Sequence, residues 1–274
     1  MLLKEFFQSI QTPARTHAWI LASHDTDDPP VDELAKALAE KIMGHRCRGA
    51  PHYFETWKQH LDGGPQPTGA AATALRAFIR PGFGLPGESQ TIPRAHLEGC
   101  VAQYLWYSLC VEDITNENAV RVEHPGFSPT DPGGDGLVIH RVSSDSMMFR
   151  LWEIKKNTGN SPVSSTVGDA YQQLNSKATE YLARYTTVGQ EIADPEMAEF
   201  YSRLPDLWID ATGEASAGVC VATSSNCIPN RCFSTFGRHF PRFVNPVRLM
   251  GMLTATFDFP TFTDTVRSYI WTGL

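Results

Sequence analysis

The sequence predicts an α/β protein, and three observations predict it. Several long stretches carry apolar residues at helical spacing. Short apolar runs rich in β-branched and aromatic residues are bounded by turn formers. The two kinds of segment alternate along the chain instead of falling into separate blocks. A stretch at 80–93 rich in glycine and proline divides the sequence into an N-terminal α/β accessory portion, 1–90, and a second unit, 91–274.

In chain order, 17–24 is a short apolar strand candidate. The loop after it carries Asp25, Asp27 and Asp28, read as an Asp-rich turn before a helix. That helix covers 31–45, where Val31, Leu34, Leu38, Ile42 and Met43 share one face. Two further helices are expected around 51–61 and 68–80. Past the boundary, 94–113 is a helix with Leu97, Val101, Tyr104, Leu105 and Leu109 as its apolar positions. Strands follow at 119–124, 135–142 and 147–156, the last two joined by a turn containing Asp145. A long helix at 166–185 precedes strands at 218–224 and 249–257, and a helix at 262–271 comes last. The second unit thus runs helix, three strands, helix, strand, with an added strand–helix pair.

Composition narrows the function classes. Hydrophobic residues make up 42% and charged residues 19%, as in ordinary globular proteins. The longest apolar runs are too short and too broken to span a bilayer, so no membrane partner is expected. The first residues include Lys4 and Glu5 and no apolar core of a secretion signal, and the six cysteines form no CxxC pair. A reducing cytoplasm is the expected setting. Cys220, Cys227, Cys232 and His239 match no zinc-module spacing. The net charge of −7 argues against a freestanding, tight nucleic-acid binder and in favour of a partner that supplies part of the grip. Walker A, GxSxG and HExxH signatures are absent from the sequence, which removes the usual routes to ATPase, serine hydrolase and zinc protease chemistry.

The chemistry concentrates in 133–156, GGDGLVIHRVSSDSMMFRLWEIKK. Strand side chains alternate faces, so Glu153 and Lys155 share one side while Trp152 and Ile154 face a core on the other. A hairpin brings Asp135, at the start of one strand, beside Glu153 on the next. Two carboxylates and an ammonium then converge beside Gly133, Gly134 and Gly136, which shape a turn or let a phosphate approach. Mg²⁺ favours carboxylate oxygens and keeps waters, and such an ion acidifies water and neutralises phosphate charge. A solvated cleft is expected to hold both Glu153 and Lys155.

Asp135 followed a hairpin later by Glu153-Ile154-Lys155 resembles the D…(D/E)XK signature of the restriction-endonuclease-like, or PD-(D/E)XK, nucleases, and the order of elements over 94–224 is similar to their core. The resemblance covers about half the chain. It implies a restriction-endonuclease-like core (helix, three-stranded antiparallel meander, helix, strand) and a Mg²⁺-dependent deoxyribonuclease in which Mn²⁺ substitutes. It further implies that Asp135, Glu153 and the Ile154 carbonyl ligate the metal and that Lys155 positions the attacking water. Glu98 on the preceding helix would complete the metal site, and Gln172 or Gln173 would contact the lysine, water or substrate. Gly134 stands where many members have proline, and Lys177 follows Gln173 by four, so the QxxxY form is not met. Overall layout resembles nuclease subunits of bacterial antiphage helicase–nuclease systems, the Hachiman type nearest, which implies a helicase or ATPase partner and DNA as substrate. A catalytically silent nuclease-like scaffold is the alternative, and a stand-alone restriction enzyme a third reading. His124 and His140 are expected as surface or core residues. Arg231, Arg238 and Arg242, interleaved with Phe233, Phe236, Phe240 and Phe243, form either a nucleic-acid face or part of a core.

Overall fold

A computed structural model of the chain describes residues 2–24, 30–88, 92–127, 135–144, 146–229 and 231–274. Strand β5 (Ser146–Asn157) is its hub, because nine of its twelve residues are buried and it packs helices on both faces. It pairs antiparallel with β4 (Gly136–Ser143), which pairs antiparallel with β3 (Ala119–Val122). On its other edge, β6 (Ala215–Ser224) runs parallel to it, and β7 (Leu249–Thr256) runs parallel to β6. The sheet continues through β2 (Ala18–Ser23), parallel to β7, to β1 (Gln8–Pro13), antiparallel to β2. Among the described residues the result is one seven-stranded mixed sheet in the order β1-β2-β7-β6-β5-β4-β3.

Helices cover both faces. One face carries α1 (Val31–Arg46), α2 (Pro51–Leu61), α3 (Gly69–Phe83), α4 (Arg94–Val111) and α9 (Phe259–Thr272). Their buried side chains meet Trp152, Ile154, Cys220 and Met252 of the sheet. The other face carries α5 (Val163–Gly189), α6 (Pro195–Ser202), α7 (Leu204–Ile209) and α8 (Phe236–His239). These bury Leu137, Phe149, Leu151, Val219 and Val221. The alternation along β5 therefore sorts side chains between two cores, as a period of two requires. No described helix is long and apolar enough to cross a membrane.

The stretch at 80–93 does not separate two cores. Strands from 1–90 extend the same sheet, and α1 packs on α9 and α4 within one apolar cluster. β1 carries no apolar alternation: it is an exposed edge with Ile10 54% exposed, and so left no periodic signal. α6 begins at Asp194-Pro195, where the Asp194 carboxylate accepts from Glu196 N at 3.0 Å, an N-cap signature that the sequence reading passed over. The four phenylalanines at 233, 236, 240 and 243 are core residues, while Arg231, Arg238 and Arg242 are exposed. Cys220 belongs to one core and Cys232 to the opposite one, so Cys220, Cys227, Cys232 and His239 are not assembled into a site. Cys47, Cys100, Cys110, Cys220, Cys227 and Cys232 are all free thiols. Asp25, Asp27, Asp28, Gly133, Gly134 and Asp145 lie outside the described residues.

Candidate active site

Two tryptophans fix the floor beneath β4 and β5. Trp106 of α4 and Trp152 of β5 pack at 5.7 Å between ring centroids. A Cβ on Gly136 would fall 2.1 Å from Trp106, and one on Gly218 would fall 2.3 Å from Trp152. Only glycine lets the sheet lie this close to the indoles. Gly136 opposes Trp152 across the β4–β5 pair, and this register carries Asp135, one residue earlier, alongside Glu153.

Asp135 is held from two directions. Its Oδ2 accepts from the Ile154 backbone N at 2.8 Å, and its Oδ1 accepts from Gln103 Nε2 at 2.7 Å. Glu153, on the α5 face of β5, is fully buried (0% exposed), so the expectation of a solvated cleft does not hold for it. The reason is α5, which packs on this face of β5, while the Lys155 side chain stays part-exposed. Lys155 Nζ lies 2.6 Å from Glu153 Oε1 and donates to Gln173 Oε1 at 2.9 Å. Gln173 Nε2 in turn donates to Tyr181 Oη at 3.0 Å. The chain of contacts fixes which glutamine faces the site: Gln173 does, and Gln172 points to solvent.

The structure thus brings together Asp135, Glu153, Lys155, Gln173 and the Ile154 backbone. It adds Gln103 and Tyr181, which the sequence reading missed. Gln103 lies about one and a half turns beyond Glu98 on α4 and belongs to no motif. Tyr181 lies two helical turns beyond Gln173, where a search for tyrosine at the fourth position does not look. Glu98 is buried in a neighbouring cluster instead. Its Oε1 accepts from Arg94 Nε at 3.0 Å, and its Oε2 accepts from Lys156 Nζ at 2.6 Å and Thr158 Oγ1 at 2.8 Å. His140 is a buried core residue whose Nδ1 lies 3.3 Å from the Glu117 carbonyl.

Charge and burial compete here. Burial, then the Asp135 charge, pushes Glu153 up to about 8. Burial likewise raises Asp135 against the pull of Lys155 and the Ile154 amide. Two carboxyls this close and this dry share a proton when no cation is present. Burial opposes the Lys155 charge, but Glu153 and then Asp135 outweigh it and raise that pKa, so Lys155 is an ammonium. Burial also opposes ionisation of Glu98, but Lys156, Thr158 and Arg94 together hold its carboxyl below the usual range.

The donor set fits a small hard cation. Glu153 Oε1 is ion-paired with Lys155 Nζ at 2.6 Å, so the two carboxyls face a single ammonium. Two buried carboxylates against one ammonium keep a net negative charge, which is costly unless a further positive centre meets it. Among the described residues no three His, Cys, Asp or Glu side chains form a metal-holding group, and the Glu98 carboxylate is engaged by Arg94, Lys156 and Thr158. Mg²⁺ needs no more than one or two carboxylates, because waters and substrate phosphate complete its shell.

No family model matches this chain, and no curated protein matches it.

Proposed function

We propose that the chain is a Mg²⁺-dependent phosphodiesterase acting on DNA in the cytoplasm, built on a restriction-endonuclease-like core. The observation that carries this reading is the dry Asp135–Glu153 pair, two carboxyls against one ammonium, with Lys155 Nζ 2.6 Å from Glu153 Oε1. The topology supports it too, since α4, the antiparallel β3–β4–β5 meander, α5 and a β6 parallel to β5 follow the order expected of that core. Asp135 and Glu153, with the Ile154 carbonyl, would hold Mg²⁺ or Mn²⁺. When bound, the cation supplies acidified water and neutralises phosphate charge.

The remaining work falls to residues of this chain. Gln103 and the Ile154 amide hold Asp135 in one orientation. Lys155 presents an ammonium to the reacting phosphate and its attacking water, stabilising charge that develops in the transition state. Gln173 and Tyr181 stop Lys155 from turning away. Glu98 holds Lys156 at the rim, where it is placed to meet a backbone phosphate. Closure by α5 keeps bulk water from Glu153 and strengthens each of these interactions. The net charge of −7 favours a partner subunit, a helicase or ATPase, that delivers the strand, as in a defence system whose nuclease is restrained until triggered.

The test is cleavage of supercoiled, linear and single-stranded DNA, and of RNA, in Mg²⁺, Mn²⁺ or EDTA. We expect metal-dependent DNA cleavage that Lys155→Ala reduces by at least 10²-fold. Equal rates for parent and Lys155→Ala remove the proposal. If cleavage is absent, calorimetric titration with Mn²⁺ decides: binding that Glu153→Gln abolishes indicates an enzyme awaiting its partner. No Mn²⁺ binding indicates a silent scaffold.

A further inference from the structure

Away from the carboxylate pair, α1, α2 and the C-terminal half of α4 border a cleft of about 760 Å³. Small-molecule sites span roughly 300–1,000 Å³. The two ends of this cleft differ. Glu33 stands in the first turn of α1, and Arg48 follows its last turn, roughly 20 Å away at 1.5 Å per residue. Between them the charges cancel in pairs: Lys36 with Asp62 at 3.3 Å, Lys58 with Glu40 at 3.2 Å, and Lys41 with Glu112 at 2.9 Å. Arg48 has no carboxylate partner among the described residues, and its Nη1 lies 3.3 Å from His45 Nε2. α2 begins three residues after Arg48, and Phe54 of its first turn lines the cleft, so a helix N-terminus adds partial positive charge to this corner.

Rings gather at the same end. His45 lies 4.5 Å from His124 and 5.2 Å from Tyr107, centroid to centroid, and Tyr107 lies 5.5 Å from His124. Tyr107 Oη is 2.8 Å from His124 Nδ1, which fixes the orientation of both rings. Burial, then the nearby His124 and Arg48, lowers His45 to about 3, and burial lowers His124 as well. At neutral pH these imidazoles are therefore uncharged π surfaces. Arg48 is the cation.

We propose that this end of the cleft binds a nucleotide, its base against the His45–Tyr107–His124 rings and its phosphate on Arg48. Stacking platforms of neutral rings accept a base through its π face. A guanidinium with donors to spare beside a helix N-terminus selects phosphate. Two sources offer this chemistry. One is a free nucleotide. The other is a nucleotide within a strand, because Tyr107 lies one helical turn along α4 from Gln103, which holds Asp135. The strand source rests on the phosphodiesterase reading, whereas the site itself does not.

The experiment is calorimetric titration of the full chain with dAMP, adenosine or inorganic phosphate, all in EDTA so that no cleavage occurs. dAMP is expected to bind saturably at one site and more tightly than adenosine or phosphate. Arg48→Ala should weaken dAMP about tenfold and leave adenosine unchanged. Tyr107→Leu should weaken both by fivefold or more. Lys155→Ala should leave dAMP binding as it was. Far-ultraviolet circular dichroism melts check that each variant is folded. Competition by a single-stranded dA oligomer assigns the ligand to a strand, and its failure assigns it to the free nucleotide. The proposal is overturned by an absence of saturable heat at millimolar dAMP. It is also overturned if folded Arg48→Ala and Tyr107→Leu bind dAMP as the parent does, or if Lys155→Ala abolishes binding. Heat is read here without catalysis, so failure in this experiment and failure in the plasmid assay are separate results.

Discussion

Replacing Glu153 by Gln should make the metal-free protein more stable at alkaline pH, and the size of the gain follows from burial. Glu153 is 0% exposed and its pKa stands at about 8 in the folded chain against 4.5 ordinarily. A carboxyl whose folded pKa is raised favours the neutral form in the native state. The folded protein then binds more protons than the unfolded chain, and stability is lost as pH rises. The loss begins near the unfolded value, about 4.5, and levels off above about 8. At about 1.4 kcal/mol per unit, moving from pH 5 to pH 8 costs on the order of 3 kcal/mol. Glutamine keeps the shape and cannot ionise, so Glu153→Gln should lose this slope. Urea unfolding of parent and variant in EDTA at pH 5, 6.5 and 8 measures the difference. Saturating Mn²⁺ should flatten the parent's curve, adding about 2.7 kcal/mol at a hundred times the dissociation constant, and leave the variant unaffected. Parallel curves for parent and variant in EDTA would show that Glu153 is not the strained acid described above.

Three further outcomes follow from the same geometry. Gly136→Ala should destabilise by about 3 kcal/mol, because its methyl would fall 2.1 Å from Trp106, and a thermal melt reads this directly. Gln173→Ala should slow cleavage tenfold or more while Gln172→Ala leaves the rate unchanged, since only Gln173 reaches Lys155; equal effects in a plasmid assay would remove the assignment. Gln103→Leu should weaken Mn²⁺ binding about tenfold in calorimetry by releasing Asp135 Oδ1, and an unchanged affinity would mean the Ile154 amide suffices alone.

Much of the fold was legible because local periodicity carries it. The apolar face of 31–45, the long helix containing Gln173 and the strand holding Glu153 each announce themselves within ten to twenty residues. β1 did not, because an exposed edge strand has no buried face to impose alternation. The Gly/Pro stretch at 80–93 misled for a related reason. Such residues mark a turn, but a turn does not reveal whether the chain beyond it returns to the same sheet, as β7 does beside β2.

For the candidate site, the sequence by itself determined that Glu153 and Lys155 share a side and that Trp152 and Ile154 face the other, since alternation along a strand is a local property. It also supplied Asp135 one hairpin away. Only tertiary structure decided that α5 buries Glu153, that Gln173 and not Gln172 meets Lys155, and that Gln103 holds Asp135. It likewise turned Glu98 toward Lys156 and gathered His45, Tyr107 and His124 at one end of a cleft. These results depend on the rotation of a helix about its axis and its seat on the sheet. Both are set by which large side chains, Trp106 and Trp152 foremost, find room against glycine, and that volume is a property of the packed core rather than of any single segment.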